Sequence, residues 1–381
     1  MSPSVDLRVP PLQSLQARRS AKWSGQEPDV LAMTIAEMDF PIAAPIAAAL
    51  RAAIERHDLG YAPSDPVALQ EAFAGFAARR MGWTVDPEQV SLIPDVVVGV
   101  RELCGALLQP GDTVALATPA YPPFFSVLPG AGLEIAELAT DAAGEFELDE
   151  LEAALRAGAR ALILVNPHNP SGRVIPRGRL ERIAELCAER EAWVLADEIH
   201  APLVLPGAAH TPWLELSDAA REFGIVLTSA SKAFNLAGLK AAQLVTASPR
   251  ARAAVALLPP LAGASGLLGV VAAEAAFGAG DEWLDAVLAQ LAANRDLLAR
   301  TLAAELPAVR FTPPEGTYLA WLDCRALELP EDPAAHFLAR GRVALSPGPS
   351  YGAAGAGFAR LNFATGPELL AEGARRMAAS L

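Results

Sequence analysis

Six short runs of nearly unbroken apolar residues mark the first two thirds of the chain, at 90–94, 113–117, 161–165, 193–196, 225–228 and 243–246. Continuous hydrophobicity over so few positions predicts strands buried on both faces. Between the runs, apolar residues recur at helical spacing. Over 176–190, Leu180, Ile183, Ala184 and Cys187 fall on one face of a helix. This alternation predicts an α/β unit built on a mostly parallel sheet.

From about residue 281 the pattern changes. It predicts a long helix over 281–306, a strand at 318–322, a helix at 333–340 and a short strand at 343–346. A glycine-rich loop (348–357), a strand at 359–363 and a terminal helix complete it. This reads as a smaller α+β lobe. The first 44 residues show no regular period. A chain of 381 residues is long for one core, so the expected division is a large unit over 45–280 and a small one made of 1–44 and 281–381.

Composition narrows the class. Hydrophobic residues make up 52% of the chain and charged ones 19%, ample for a large core. A formal charge of −14 argues against nucleic-acid binding, which needs a basic surface. Cys104, Cys187 and Cys324 are far apart, odd in number and lack metal-ligand spacing, so neither a disulfide framework nor a zinc site is expected. Residues 253–273 carry no charge and mimic a membrane span, but Pro259 and Pro260 interrupt them. A buried connection and core helix is the reading there. The start of the chain, with Asp6, Arg8, Arg18 and Arg19, has no secretory pattern. A cytoplasmic, non-membrane protein is expected.

The unusual residues cluster after the apolar runs. In an open parallel sheet, ligands gather where strands end. Tyr121 follows the 113 run, Asn166 and Asn169 the 161 run, and Asp197 closes the 193 run. Ser229, Ser231 and Lys232 follow the 225 run. The chain has only three lysines, Lys22, Lys232 and Lys240, and two of them stand eight residues apart in this segment. A lone lysine is ordinarily a surface charge. One enclosed among small residues can lose its proton and act as a nucleophile. A carboxylate ending a buried strand is costly unless it holds a cation, in a structural ion pair or on a protonated heterocycle. Hydroxyls beside a cation fit a phosphate. A Schiff-base lysine, an acid for a ring nitrogen, a stacking aromatic and a phosphate cradle together describe a pyridoxal 5′-phosphate (PLP) site.

The ordered motifs carry a resemblance over nearly the whole chain. They are Ala-Glu-Met-Asp-Phe (36–40), Gly60-Tyr61, Thr-Pro-Ala-Tyr (118–121), Asn-Pro-His-Asn-Pro-Ser-Gly (166–172), Asp-Glu-Ile-His (197–200), Ser-Ala-Ser-Lys-Ala-Phe-Asn (229–235), Thr-Tyr-Leu-Ala-Trp-Leu-Asp (317–323) and Arg-Leu-Asn (360–362). The chain resembles fold-type I PLP enzymes of the class I/II aminotransferase superfamily, and within them the MalY/PatB branch of cystathionine β-lyases, or C–S lyases. That resemblance implies a large domain around a mostly parallel seven-stranded sheet, a smaller α+β domain, and a homodimer with shared active sites. It implies that Lys232 forms the Schiff base with PLP and Asp197 pairs with the ring nitrogen. Tyr121 then stacks on the ring, and Asn169 bonds its phenolic oxygen. Ser229, Ser231, Lys240 and the backbone N–H groups near Val96 and Val97 hold the phosphate. Arg360 takes the substrate α-carboxylate, and Tyr61 reaches the site of the neighbouring subunit.

Three positions depart from the family pattern. Lys240 stands where many aminotransferases have arginine, and His200 where many have a tyrosine that bonds the phenolic oxygen. Thr34-Ile-Ala-Glu replaces the usual Trp-Val-Ala-Asp before Met-Asp-Phe. The implied activity is β-elimination from cystathionine or another L-cysteine S-conjugate, giving thiol, pyruvate and ammonia. The runner-up is an aminotransferase on the same scaffold. His57, His210 and His336 show no constellation and read as surface or structural residues; His168 lies inside the Asn-Pro loop, where the family varies, and Glu198 beside Asp197 reads as structural rather than as a second acid. The stretch 348–357 lacks the strand-to-helix setting of a dinucleotide motif and reads as a flexible loop near Arg360.

Overall fold

The computed structural model describes residues 5–141 and 144–381. Its centre is a seven-stranded sheet: β1 (Val90–Ile93), β2 (Thr113–Thr118), β3 (Glu134–Ala139), β4 (Ala159–Val165), β5 (Trp193–Asp197), β6 (Gly224–Thr228) and β7 (Ala242–Val245). Their order is β1-β7-β6-β5-β4-β2-β3. Strands β2 to β6 run parallel, while β7 is antiparallel to both of its neighbours.

Alternate residues of the central strands feed two separate cores. Leu162, Leu164, Val194 and Val226 belong to one cluster; Ala161, Ile163, Leu195 and Ile225 belong to the other. That is the two-residue period of a sheet covered by helices on both faces, and it explains why these runs carry almost no polar position.

A second sheet is antiparallel: β8 (Arg310–Phe311), β9 (Leu319–Asp323), β10 (Ser346–Pro347) and β11 (Phe358–Asn362), ordered β10-β11-β9-β8. The helices Asp281–Glu305 and Pro367–Ala379 pack against each other beside it. The strand expected at 343–346 is divided. Val343–Ala344 pairs in parallel with Leu31–Ala32 of the N-terminal segment, and Ser346–Pro347 turns away to pair with β11.

The apolar stretch 253–273 is broken as its prolines require. Helix Pro249–Val255 gives way to a turn at Pro260–Gly263 and then to helix Leu267–Ala279. Among the described residues no helix is long and apolar enough to cross a membrane. The three cysteines are free and buried.

The stretch 348–357 corrects the expectation of a flexible loop. It folds into two 3-10 turns, Gly348–Tyr351 and Ala353–Gly355. Gly348 and Gly355 face each other so closely that a Cβ on either would strike the other's backbone. This buries Tyr351.

Candidate active site

Asp197 ends β5 at the centre of the sheet, opposite Val165 of β4 and Leu227 of β6. Its buried carboxylate accepts the Ile199 N–H at 3.1 Å and makes no ion pair among the described residues. Burial pushes its pKa up to about 7, against the pull of that hydrogen bond and of the Lys232 charge.

Lys232 lies on the one-turn helix Ala230–Ala233 after β6. Its Nζ donates to Ala36 O at 3.1 Å. Burial, followed by the charge of Arg360, brings its pKa down to about 8. His200 is buried, and its Nδ1 has no partner among the described residues. Burial drives its pKa down to about 3, so the imidazole is neutral at ordinary pH. Its ring meets Tyr318 edge-on, with centroids 6.1 Å apart.

Arg360 is carried by β11, cross-strand to Trp321 of β9 and to Ser346 of β10. Nη1 donates to Asn169 Oδ1 at 3.1 Å; Nη2 donates to Thr34 O at 3.1 Å and to Ser346 Oγ at 3.3 Å. The guanidinium lies 5.1 Å from the centroid of the Tyr351 ring. Its Nε is buried without a partner, and no carboxylate pairs with it among the described residues. A buried cation without a counter-ion is poised for an incoming anion.

Tyr121, Asn169, Asp197, His200, Lys232 and the helix start at Val96 and Val97 line one cavity, to which Arg360 connects through its bond to Asn169. A smaller recess beside it is lined by Ser229, Ser231 and Lys240. Helix Val96–Leu107 approaches the sheet closely at Gly99, where a Cβ would collide with Ile93 and Leu227. Ser229 Oγ donates to Ala241 O at 2.8 Å and accepts the Ser231 N–H at 3.0 Å, so its single proton is committed to the backbone. Tyr61 stands apart: it is fully exposed and touches this cavity nowhere in its own chain, while its backbone bridges to Gly266.

The sequence pattern left several participants unnamed. Asp95 caps helix Val96–Leu107 and pairs with Lys240 at 2.9 Å. A capping aspartate just before an apolar helix is a readable signal. The loop 34–39 contributes main-chain carbonyls, which no residue pattern announces. Ala36 O accepts from both Lys232 and the Tyr318 hydroxyl (2.9 Å). Asn362 Nδ2 donates to Ile35 O and Glu37 O, and Asn235 clasps the Met38 backbone through both its amide atoms. Lys22, the third lysine, is buried and pairs with Asp39 at 2.9 Å.

The remaining polar residues do not line this cavity. Glu198 accepts the Trp213 N–H at 2.7 Å and faces His210, while His168 bonds Ser171 at 2.8 Å. His336 meets Ser380 O at 3.1 Å, and His57 is exposed.

Comparison with known proteins places this geometry. The chain is 37% identical to a cystathionine beta-lyase of Corynebacterium glutamicum, over 98% of this chain and 100% of that one. It is 36% identical to the cystathionine beta-lyase PatB of Bacillus subtilis, over 93% of both chains. The PLP-bound C-S lyase of Staphylococcus hominis superposes with a TM-score of 0.88 at 27% identity, over 95% of both chains. The family model for aminotransferases of class I and II matches residues 28–377. With that match spanning both sheets and every cavity-lining residue, the chain belongs to the class I and II aminotransferase family.

Proposed function

We propose that this protein is a PLP-dependent carbon–sulfur β-lyase that cleaves cystathionine or a related L-cysteine thioether to a thiol, pyruvate and ammonia. The observation that carries the reading is one cavity holding an amine of lowered pKa, a carboxylate ending the central strand and, through Asn169, an arginine without a counter-ion. The residues present fit PLP. Asp197 lacks a cation, and His200 Nδ1 and Arg360 Nε are buried polar atoms that a ligand would satisfy. When bound, PLP supplies an electron sink for the carbanion formed at the substrate α-carbon.

In this reading Asp197 keeps a proton on the ring nitrogen, and that proton restores the carboxylate's own charge. Tyr121 covers the ring face. Asn169 and neutral His200 serve its phenolic oxygen. Ser231, Lys240 and the N–H groups of Val96 and Val97 receive the phosphate, with Ser229 fixing the helix start that carries Ser231. Arg360 grips the substrate α-carboxylate as a two-pronged donor. Lys232 Nζ then removes the α-proton as general base, and the thiolate leaves from Cβ.

The reading extends to a homodimer in which Tyr61 enters the neighbouring site. Its full exposure, and the exposed Leu257 and Leu261 near its bridge partner Gly266, support this. The division into a large unit (45–280) and a small one (1–44 with 281–381) follows the two sheets. Three free, buried cysteines accord with a cytoplasmic setting.

The deciding assay mixes the PLP-loaded protein with L-cystathionine and measures pyruvate, ammonia and free thiol together. Equal release of all three is expected. Absence of pyruvate, with amino-group transfer to an added keto acid, would assign the same residues to transamination instead. Arg360→Gln tests the carboxylate grip: kcat/KM for L-cystathionine should fall about 100-fold, the worth of a lost charged hydrogen-bonding pair. An unchanged kcat/KM sinks that role.

A further inference from the structure

The phosphate recess contains an acid. Its lining holds one cation, Lys240, among the described residues, and that cation already has a partner. Asp95 Oδ2 accepts from Lys240 Nζ at 2.9 Å, and Asp95 Oδ1 accepts the Val97 N–H at 2.9 Å. The carboxylate therefore occupies the place at the helix start where an anion is best received. It lines both the main cavity and the recess.

The pair is not a brace for the fold. The side chain of Lys240 is 59% exposed and that of Asp95 32%, and ion pairs so placed add little stability. Exchanging Asp95 for another anion on Lys240 and on the helix start is correspondingly easy. Yet the exchanged carboxylate stays nearby, and a phosphate dianion beside it meets one lysine and one like charge. The influence of Asp95 on its surroundings is visible elsewhere: its negative charge acts to raise the pKa of both Lys232 and Asp197.

We infer that Asp95 is an internal competitor of the cofactor phosphate, holding Lys240 and the Val97 N–H until PLP displaces it and thereby weakening cofactor binding. This rests on the reading of the cavity as a PLP site. A consequence is that retention of PLP depends more on its covalent link to Lys232 than on the phosphate cradle.

The test uses the full-length protein, stripped of cofactor, and its Asp95→Asn variant. Asparagine still caps the helix but carries no charge. Equilibrium dissociation constants are measured by tryptophan fluorescence for PLP and for pyridoxal, which lacks the phosphate. Asp95→Asn should bind PLP about tenfold more tightly, a gain clearly larger than that for pyridoxal, as removal of one like charge near a phosphate implies. Asp95→Ser, another capping residue, should behave the same way. Equal or weaker PLP binding in both variants overturns the inference. So does an equal gain for PLP and pyridoxal, because the charge would then act through Lys232. A wild-type protein that binds neither ligand overturns the PLP reading itself.

Discussion

Lys232→Ala should reduce pyruvate release from L-cystathionine by about four orders of magnitude or more, to background. Loss of a positioned general base alone costs about 10²–10⁴-fold, and in the proposed reading this variant also loses its covalent hold on the cofactor. The protein with PLP should lack the yellow colour of the linked cofactor. Folding should survive, since Lys232 Nζ gives up one hydrogen bond to Ala36 O, which keeps its bond from Tyr318. The wild-type lysine adds a pH signature. Its pKa, brought down to about 8 by burial and by Arg360, means that the amine is largely free above that pH and protonated below it. Only the free amine attacks an aldehyde. The rate at which stripped protein captures PLP should therefore rise about tenfold per pH unit up to about 8 and then level off, not at the ordinary lysine value near 10.5. Arg360→Gln should move that break upward, because one of the two causes is gone. Residual turnover of Lys232→Ala within tenfold of wild type, or a capture rate still climbing above pH 10, would remove Lys232 from its role.

What the chain disclosed in advance follows from burial. Six strands were legible because each lies inside the sheet or under covering segments, where almost every position is apolar. The seventh strand of the sheet, β3, escaped the pattern for the opposite reason. It is an edge strand with Glu134 and Glu137 exposed, and its apolar residues are too diluted to stand out. The strand ends were legible because Asp197, Asn169 and Lys232 are costly in apolar settings and therefore conspicuous. Asp95 carries no comparable signal of a site, because a capping acid is an ordinary feature and its second partner, Lys240, lies 145 residues away. Tyr318 and Asn362 were visible only as parts of motifs. Their partners are carbonyls of the irregular loop 34–39, and a backbone acceptor leaves no trace in the residue order.

That loop leads to the largest expected effect on stability, in Asp39→Ala. Asp39 and Lys22 are each 1% exposed and meet at 2.9 Å. The other carboxylate oxygen accepts Trp23 Nε1–H at 2.8 Å, and Arg18 donates to the Asp39 carbonyl at 3.0 Å. Lys22 reaches on to Glu37 O at 3.2 Å. The N-terminal segment thereby grips the loop whose Ala36 carbonyl holds Lys232. Burial already lowers the pKa of Lys22, with Asp39 as the main opposing attraction. Removing the acid leaves a buried ammonium and an unpaired indole N–H. The expected cost is about 3–5 kcal/mol, the usual penalty for stripping one partner from a buried pair, read as a lower urea midpoint. Replacing both partners, with Lys22→Met and Asp39→Asn, should recover much of it, because neither the ammonium nor the carboxylate then remains at that buried site. The same grip links the segment to the chemistry. Asp39→Ala protein that still folds in the cold should capture PLP more slowly than wild type, since the Ala36 carbonyl no longer fixes Lys232. A loss below about 1 kcal/mol, the range of an exposed pair, would show that the pair does not hold the loop.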